Sequence, residues 1–172
     1  DRMAKLFFSF FWGRTDVYAK RNVNKNGEAA YYPQCDNFWS DNCHRKLNTH
    51  IGCKDCKYCS YTRLDLSSIL MHLRGNSYAA KDVIGVYPLF SDGTCRFLVF
   101  DFDNHEKNAE KKDFANTDDT WIEEVEAMRD ICTLNGIEPL VERSRSGKGA
   151  HIWIFFDKPI SAALVRKFGF AL

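Results

Sequence analysis

Two aspartates close an otherwise apolar stretch, CRFLVFDFDNHE over residues 95–106. Strand alternation places Phe97, Val99, Asp101 and Asp103 on one face and Arg96, Leu98, Phe100 and Phe102 on the other. Two like charges on one face of a partly buried strand repel unless a cation neutralises them. Hard oxygen ligands on a rigid strand suit Mg²⁺ or Mn²⁺, so Asp101 and Asp103 are candidate ligands for a divalent metal. The plainer alternative is a solvated strand end running into a loop.

A second stretch, VERSRSGKGAHIWIFF over residues 141–156, supplies the complementary chemistry. Its loop gathers Arg143, Ser144, Arg145, Ser146 and Lys148 around two glycines, cationic side chains and free backbone N–H groups suited to phosphate oxygens. It is not a Walker loop, which needs GxxxxGK[ST] between strand and helix. His151 opens a strand whose alternate face carries Trp153 and Phe155. A histidine there is either a satisfied structural residue or a phosphate contact, and the adjoining loop brings the second level with the first. A carboxylate pair for metal with a basic loop and a histidine for triphosphate makes a phosphoryl-transfer site.

The cysteines point to other chemistry. Cys35, Cys43, Cys53, Cys56 and Cys59 crowd together, while Cys95 and Cys132 sit alone in apolar settings. Cys53 and Cys56 form a C-x2-C pair, and with Cys35 and Cys43 they make the four thiolates of a structural tetrahedral Zn²⁺. Cys59 forms a second such pair with Cys56, and His44 or His50 could replace a sulfur, so the ligand set stays open. A disulfide knot is the alternative, but an oxidising compartment would leave an odd cysteine. A third, weaker constellation, GRTDVYAKRNVNKNG, gathers Arg14, Lys20, Arg21 and Lys25 with Tyr18. It could follow a nucleic-acid backbone or simply be a solvated surface.

These sites need elements to hold them. The 172 residues predict one domain, and 45% hydrophobic with 27% charged content excludes a disordered chain. A net charge of +1 excludes an overall basic field but not local patches. No apolar run approaches the roughly 20 residues needed to span a bilayer, which predicts a soluble, cytoplasmic protein with no membrane partner. Residues 33–60 read as a loop without periodicity, a zinc-binding insertion. DLSSILMHLRGN predicts a short amphipathic helix stopped by Gly75. VIGVYPLF and CRFLVFDFD predict a hairpin about an SDGT turn. TDDTWIEEVEAMRDICTLNGI predicts a helix, EPLVERS and AHIWIFF a second strand pair, and SAALVRKFGFAL a further helix capped by Ser161. The order is β, β, α, β, β, α, an α+β fold.

With those residues in order, the chain resembles the archaeo-eukaryotic-type primase domain of TOTE conflict-system proteins. The strings GRTDVYAKR, YYPQC, the cysteine loop, IGVYPLF, DGTCRFLVFDFD, PLVERSRSGKGAHIWIFF and PISAALVRKFGF carry the resemblance over nearly the whole chain. It implies a primase-polymerase with an RRM-like palm, an antiparallel or mixed sheet with packed helices, that carries out divalent-metal-dependent, template-directed synthesis of a DNA or RNA primer from nucleoside triphosphates on a DNA template. It also implies helicase and nuclease regions in the parent protein. Asp101 and Asp103 match the first acidic motif of the family. His151 matches the histidine of its second, which contacts the phosphates of the incoming nucleotide, with Arg143, Ser144, Ser146 and Lys148 beside it. The family's third acidic motif is expected downstream of Leu172, so residues 1–172 read as the N-terminal part of a longer catalytic module.

Two alternatives follow from the same residues. FLVFDFDNH also looks like the opening of a haloacid-dehalogenase-type phosphatase, although position 105 is His rather than Thr. A zinc-stabilised module that binds DNA or nucleotide without catalysis is the other.

Overall fold

Ala4, Phe7, Phe8 and Phe11 recur at helical spacing, and residues Arg2–Phe10 form the first helix, α1. The computed structural model describes residues 2–47, 50–103, 120–145 and 147–172. These divide into two compact units, one ending at Asp92 and one running from Gly93 to Leu172.

In the first unit, β1 (Ala19–Val23) and β2 (Ala29–Pro33) form an antiparallel hairpin, and β3 (Ile84–Gly85) pairs antiparallel on the other side of β1. Helix α2 (Leu66–Arg74) starts at Asp65, whose carboxylate accepts from Ser68 N at 2.7 Å, and stops at Gly75 in the left-handed region, φ 60°. Helices α1 and α2 pack together, burying Ala4, Leu64 and Ile69 with Tyr18.

In the second unit, β4 (Thr94–Asp103) and β5 (Leu140–Arg143) flank β6 (Gly149–Ser161), all antiparallel. Helices α3 (Thr120–Leu134) and α4 (Ala162–Ala171) pack on this sheet. The inward residues of β6, Ala150 and Ile152, meet Val125, Trp121 and Met128 of α3 and Phe100 and Phe102 of β4. Helix α4 approaches β4 closely at Gly169, where a Cβ would lie 3.1 Å from Leu98. The architecture is α+β, with two three-stranded antiparallel sheets and four α-helices among the described residues.

The hairpin expected between 83–90 and 95–103 does not form. The first of these segments is consumed by residues 13–21: Arg21 N donates to Val83 O at 2.9 Å, Arg14 N donates to Tyr87 O at 2.8 Å, and Lys20 pairs with Ile84. Pro88 has no N–H to offer a ladder. β4 pairs with β6 instead, leaving the second unit's sheet to strands far apart in sequence. The β1–β2 hairpin was not foreseen, because the same residues read as a basic surface and a loop. Ser161 precedes α4 but makes no side-chain cap hydrogen bond. The acidic residues expected in the first turn of α3 precede Thr120 and lie outside the described residues. No helix among the described residues is long and apolar enough to cross a membrane.

Candidate active site

The β4–β6 ladder sets Asp101 opposite His151 and Asp103 opposite Gly149, and the β5–β6 ladder sets Glu142 opposite the same His151. All of these face away from the α3-packed core. His151 Nε2 lies 3.4 Å from Asp101 Oδ1, and its Nδ1 lies 3.3 Å from Glu142 Oε2. Trp153, next on the same face, donates its indole N–H to that same Glu142 oxygen at 3.0 Å. An aromatic ladder continues outward, with Trp153 and Phe155 rings stacked 6.3 Å apart and Phe97 edge-on to Trp153 at 5.8 Å. This packing holds the histidine from behind, while its side chain stays one-third exposed and that of Asp101 64% exposed.

Gly149 explains how Asp103 reaches the site. A Cβ there would lie 2.3 Å from Phe102 O and 2.8 Å from Asp103 Oδ1, so only glycine allows the strands this approach. The loop before it is shaped by backbone bonds: Ser144 N donates to Gly149 O at 2.8 Å, and Gly147, with φ 75°, donates to Ser144 O at 2.9 Å.

The structure therefore brings Asp101, Asp103 and His151 onto one face. It does not bring Arg143 there: strand alternation turns Arg143 to the opposite face, and its guanidinium donates to Gly147 O at 3.0 and 3.3 Å. Arg143 fastens the loop. Ser144 and Lys148 flank this turn, Lys148 exposed, and Ser146 lies outside the described residues. Glu142 escaped the sequence reading, although pairing EPLVERS with AHIWIFF about the loop placed it on the face of His151. β4 and its neighbour run antiparallel, unlike the parallel sheet that the phosphatase alternative needs.

In the first unit, Cys35, Cys43, Cys53, Cys56 and Cys59 line one cavity of about 30 Å³ with His44, and all are free thiols. Its base is clasped: Asp36 N donates to Ser60 O at 2.8 Å, Thr62 N donates to Gln34 O at 3.1 Å, and Thr62 Oγ1 donates to Asp36 Oδ1 at 2.6 Å. Burial pushes the Cys59 thiol up, and the neighbouring Cys35 adds to it. Burial, followed by Cys59, pushes Tyr61 up to about 12. Thiols in such surroundings fit Zn²⁺ by type, since a bound dication reverses the penalty on thiolate. No group of three or more His, Cys, Asp or Glu converges at ligand distance among the described residues.

The basic constellation near the start is rearranged. Tyr18 is buried in the core, and Arg14 is paired with Asp16 at 2.5 Å. Neither is presented as the sequence reading expected.

Residues 2–172 match the family model described as the archaeo-eukaryotic primase domain of the TOTE conflict system. The chain belongs to that family. Comparison with curated proteins finds no match. In this primase domain the sheet of the second unit carries the acidic face, the histidine and the glycine-rich turn on adjacent strands.

Proposed function

We propose that this primase domain is a divalent-metal-dependent nucleotidyltransferase that synthesises a DNA or RNA primer on a DNA template from nucleoside triphosphates. The observation that carries this reading is the cross-strand pairing of Asp101 with His151, with Asp103 on the same face beside the turn at Gly147–Gly149.

Asp101 and Asp103 offer hard oxygen ligands on a hydrogen-bonded strand, and they are the residues that would hold Mg²⁺ or Mn²⁺. Such ions supply Lewis-acid polarisation of the reacting phosphate and a more acidic primer hydroxyl. In the transfer, the primer 3′-hydroxyl gives up its proton to solvent and its oxygen bonds to the α-phosphorus, while the bond from that phosphorus to the α,β-bridging oxygen breaks and pyrophosphate leaves. His151, anchored through Nδ1 by Glu142, presents Nε2 to a triphosphate oxygen. Lys148, with the side chains of Ser144 and Ser146, binds the remaining phosphate charge. Arg143 holds the turn in shape from the other face.

Zinc in the first unit would be held by Cys35, Cys43, Cys53 and Cys56, with Cys59 the alternative ligand. The clasped base and the shared cavity support a structural role.

The test is metal-dependent incorporation of nucleotide on primed and unprimed templates by the full-length protein. Asp101→Asn with Asp103→Asn abolishes incorporation. Unchanged incorporation by that double variant would remove the metal role of both residues.

A further inference from the structure

A groove of about 430 Å³ opens on the first unit between the β1–β2 hairpin and the cysteine-bearing loop. Five cationic side chains line it: Lys20 and Arg21 from β1, Arg45 and Lys46 from the loop, and Lys81. No aspartate or glutamate lines it, and none of the five forms an ion pair among the described residues. A chain of net charge +1 has therefore gathered uncompensated positive charge at one place.

The aromatic lining is equally specific. Trp39 is 80% exposed, and two neighbours hold it: Lys46 Nζ donates to Trp39 O at 3.0 Å and lies 6.0 Å from the indole centroid, and the Phe38 ring stands edge-on at 4.9 Å. Tyr32, opposite Lys20 across the hairpin, carries the Arg45 guanidinium 3.5 Å above its ring. Arg21 donates to Ala79 O, tying β1 to the loop that bears Lys81.

We infer that this groove binds single-stranded nucleic acid, with backbone phosphates on the cations and an unpaired base on the Trp39 face. Cations along a groove track phosphates, and an open indole stacks a base of any identity. A duplex keeps its bases paired and cannot use the indole, which favours a single strand. The inference stands apart from the transfer chemistry, since it needs neither Asp101 nor bound nucleotide.

The experiment is fluorescence anisotropy of a labelled oligothymidylate with the full-length protein, over a salt series, without Mg²⁺ or nucleoside triphosphate. Binding is expected to weaken with salt, and Lys20→Ala with Lys81→Ala lowers the slope of log K against log salt by about 1.4, roughly 0.7 per cation for single strands. Trp39→Ala weakens binding by roughly fivefold to a hundredfold, whereas Trp39→Phe retains most of it. Trp39 and Lys81 are exposed, so circular dichroism should match wild type. Affinity unchanged in Trp39→Ala overturns the proposal, whatever the salt slope does, because bulk charge would then account for binding. Binding to anionic phospholipid vesicles that depends on Trp39 and Lys20, without oligonucleotide binding, overturns it too. The measurement contains neither metal nor nucleoside triphosphate, so failure here is separable from failure of the transfer reading.

Discussion

His151 stands directly across the β4–β6 ladder from Asp101, with Nε2 3.4 Å from the carboxylate. A histidine so placed is fixed by two strands rather than by a loop, and Glu142 on the third strand holds its other nitrogen at 3.3 Å. Three adjacent strands thus contribute one group each to a single row. Side chains fixed in this way meet a substrate with little reorganisation, which is where rate enhancement by positioning comes from.

Glu142 should act as a positioning residue. Glu142→Ala frees the His151 ring and leaves the Trp153 N–H without its acceptor, so kcat/KM for nucleotide falls roughly tenfold to a hundredfold, the scale of a hydrogen bond to a charged group. Glu142→Gln keeps an acceptor oxygen and loses less. In a His151→Ala background the Glu142→Ala loss should largely disappear, because the two act through one ring. Steady-state incorporation kinetics on wild type, Glu142→Ala, Glu142→Gln, His151→Ala and the double variant check this, and equal losses in both backgrounds would separate Glu142 from His151.

Gly149→Ala should damage fold and site together. The new methyl would sit 2.3 Å from Phe102 O and 2.8 Å from Asp103 Oδ1, so the strands must part at the residue that brings Asp103 into place. Destabilisation of about 1–3 kcal/mol is expected from forced overpacking. Thermal unfolding should show it, with loss of incorporation at temperatures where the variant is still folded.

Much of the second unit was legible in the sequence, and the reasons are local. The alternation of FLVFDFD put both carboxylates on one face, and the glycines around Lys148 marked the turn. The register that pairs Asp101 with His151 was not legible. It depends on a strand separation of about fifty residues and on a bulge between Cys95 and Phe97 that shifts the ladder. The first unit was read less well. Tyr18 sits close to Arg14, Lys20 and Arg21 in sequence, yet it packs in the core with Ala4 and Ile69. The 83–90 segment looked like a hairpin partner, but residues 13–21 take its hydrogen bonds. In both cases the deciding partner lies elsewhere in the chain, beyond any local pattern.

Zinc analysis should find about one equivalent per chain, the stoichiometry of a single closed four-ligand site. Cys53→Ser or Cys56→Ser should lose the metal and expose the loop to trypsin at Lys54 and Lys57. Cys59→Ser tests that thiol: retained zinc places Cys59 outside the ligand set, and lost zinc brings it in. Cys132→Ser is the control, since that thiol is fully buried in the second unit. Absence of zinc from the wild-type protein would remove the metal from the account of the loop.

His72 should make the first unit sensitive to mild acid. Its Nδ1 accepts from Ile84 N at 3.4 Å, joining α2 to β3, and its ring lies 5.8 Å from that of Phe7. Burial holds the imidazole below its ordinary value of 6.5, against an opposing pull from Asp82. The neutral ring is therefore the form the fold favours. A group whose folded value is depressed contributes stability that is present above its unfolded value and lost as pH falls through the folded value. Protonation takes away the acceptor that Ile84 N uses, which is the physical reason for the loss. The melting temperature should fall as pH is lowered from about 7.5 toward 5, the window in which a depressed histidine takes up its proton. His72→Gln keeps a polar acceptor without a proton to gain, so its melting temperature should fall less over the same range. Every other titratable group is common to both proteins, so the difference between the two curves isolates His72. Parallel curves would show that His72 takes no part in the acid response.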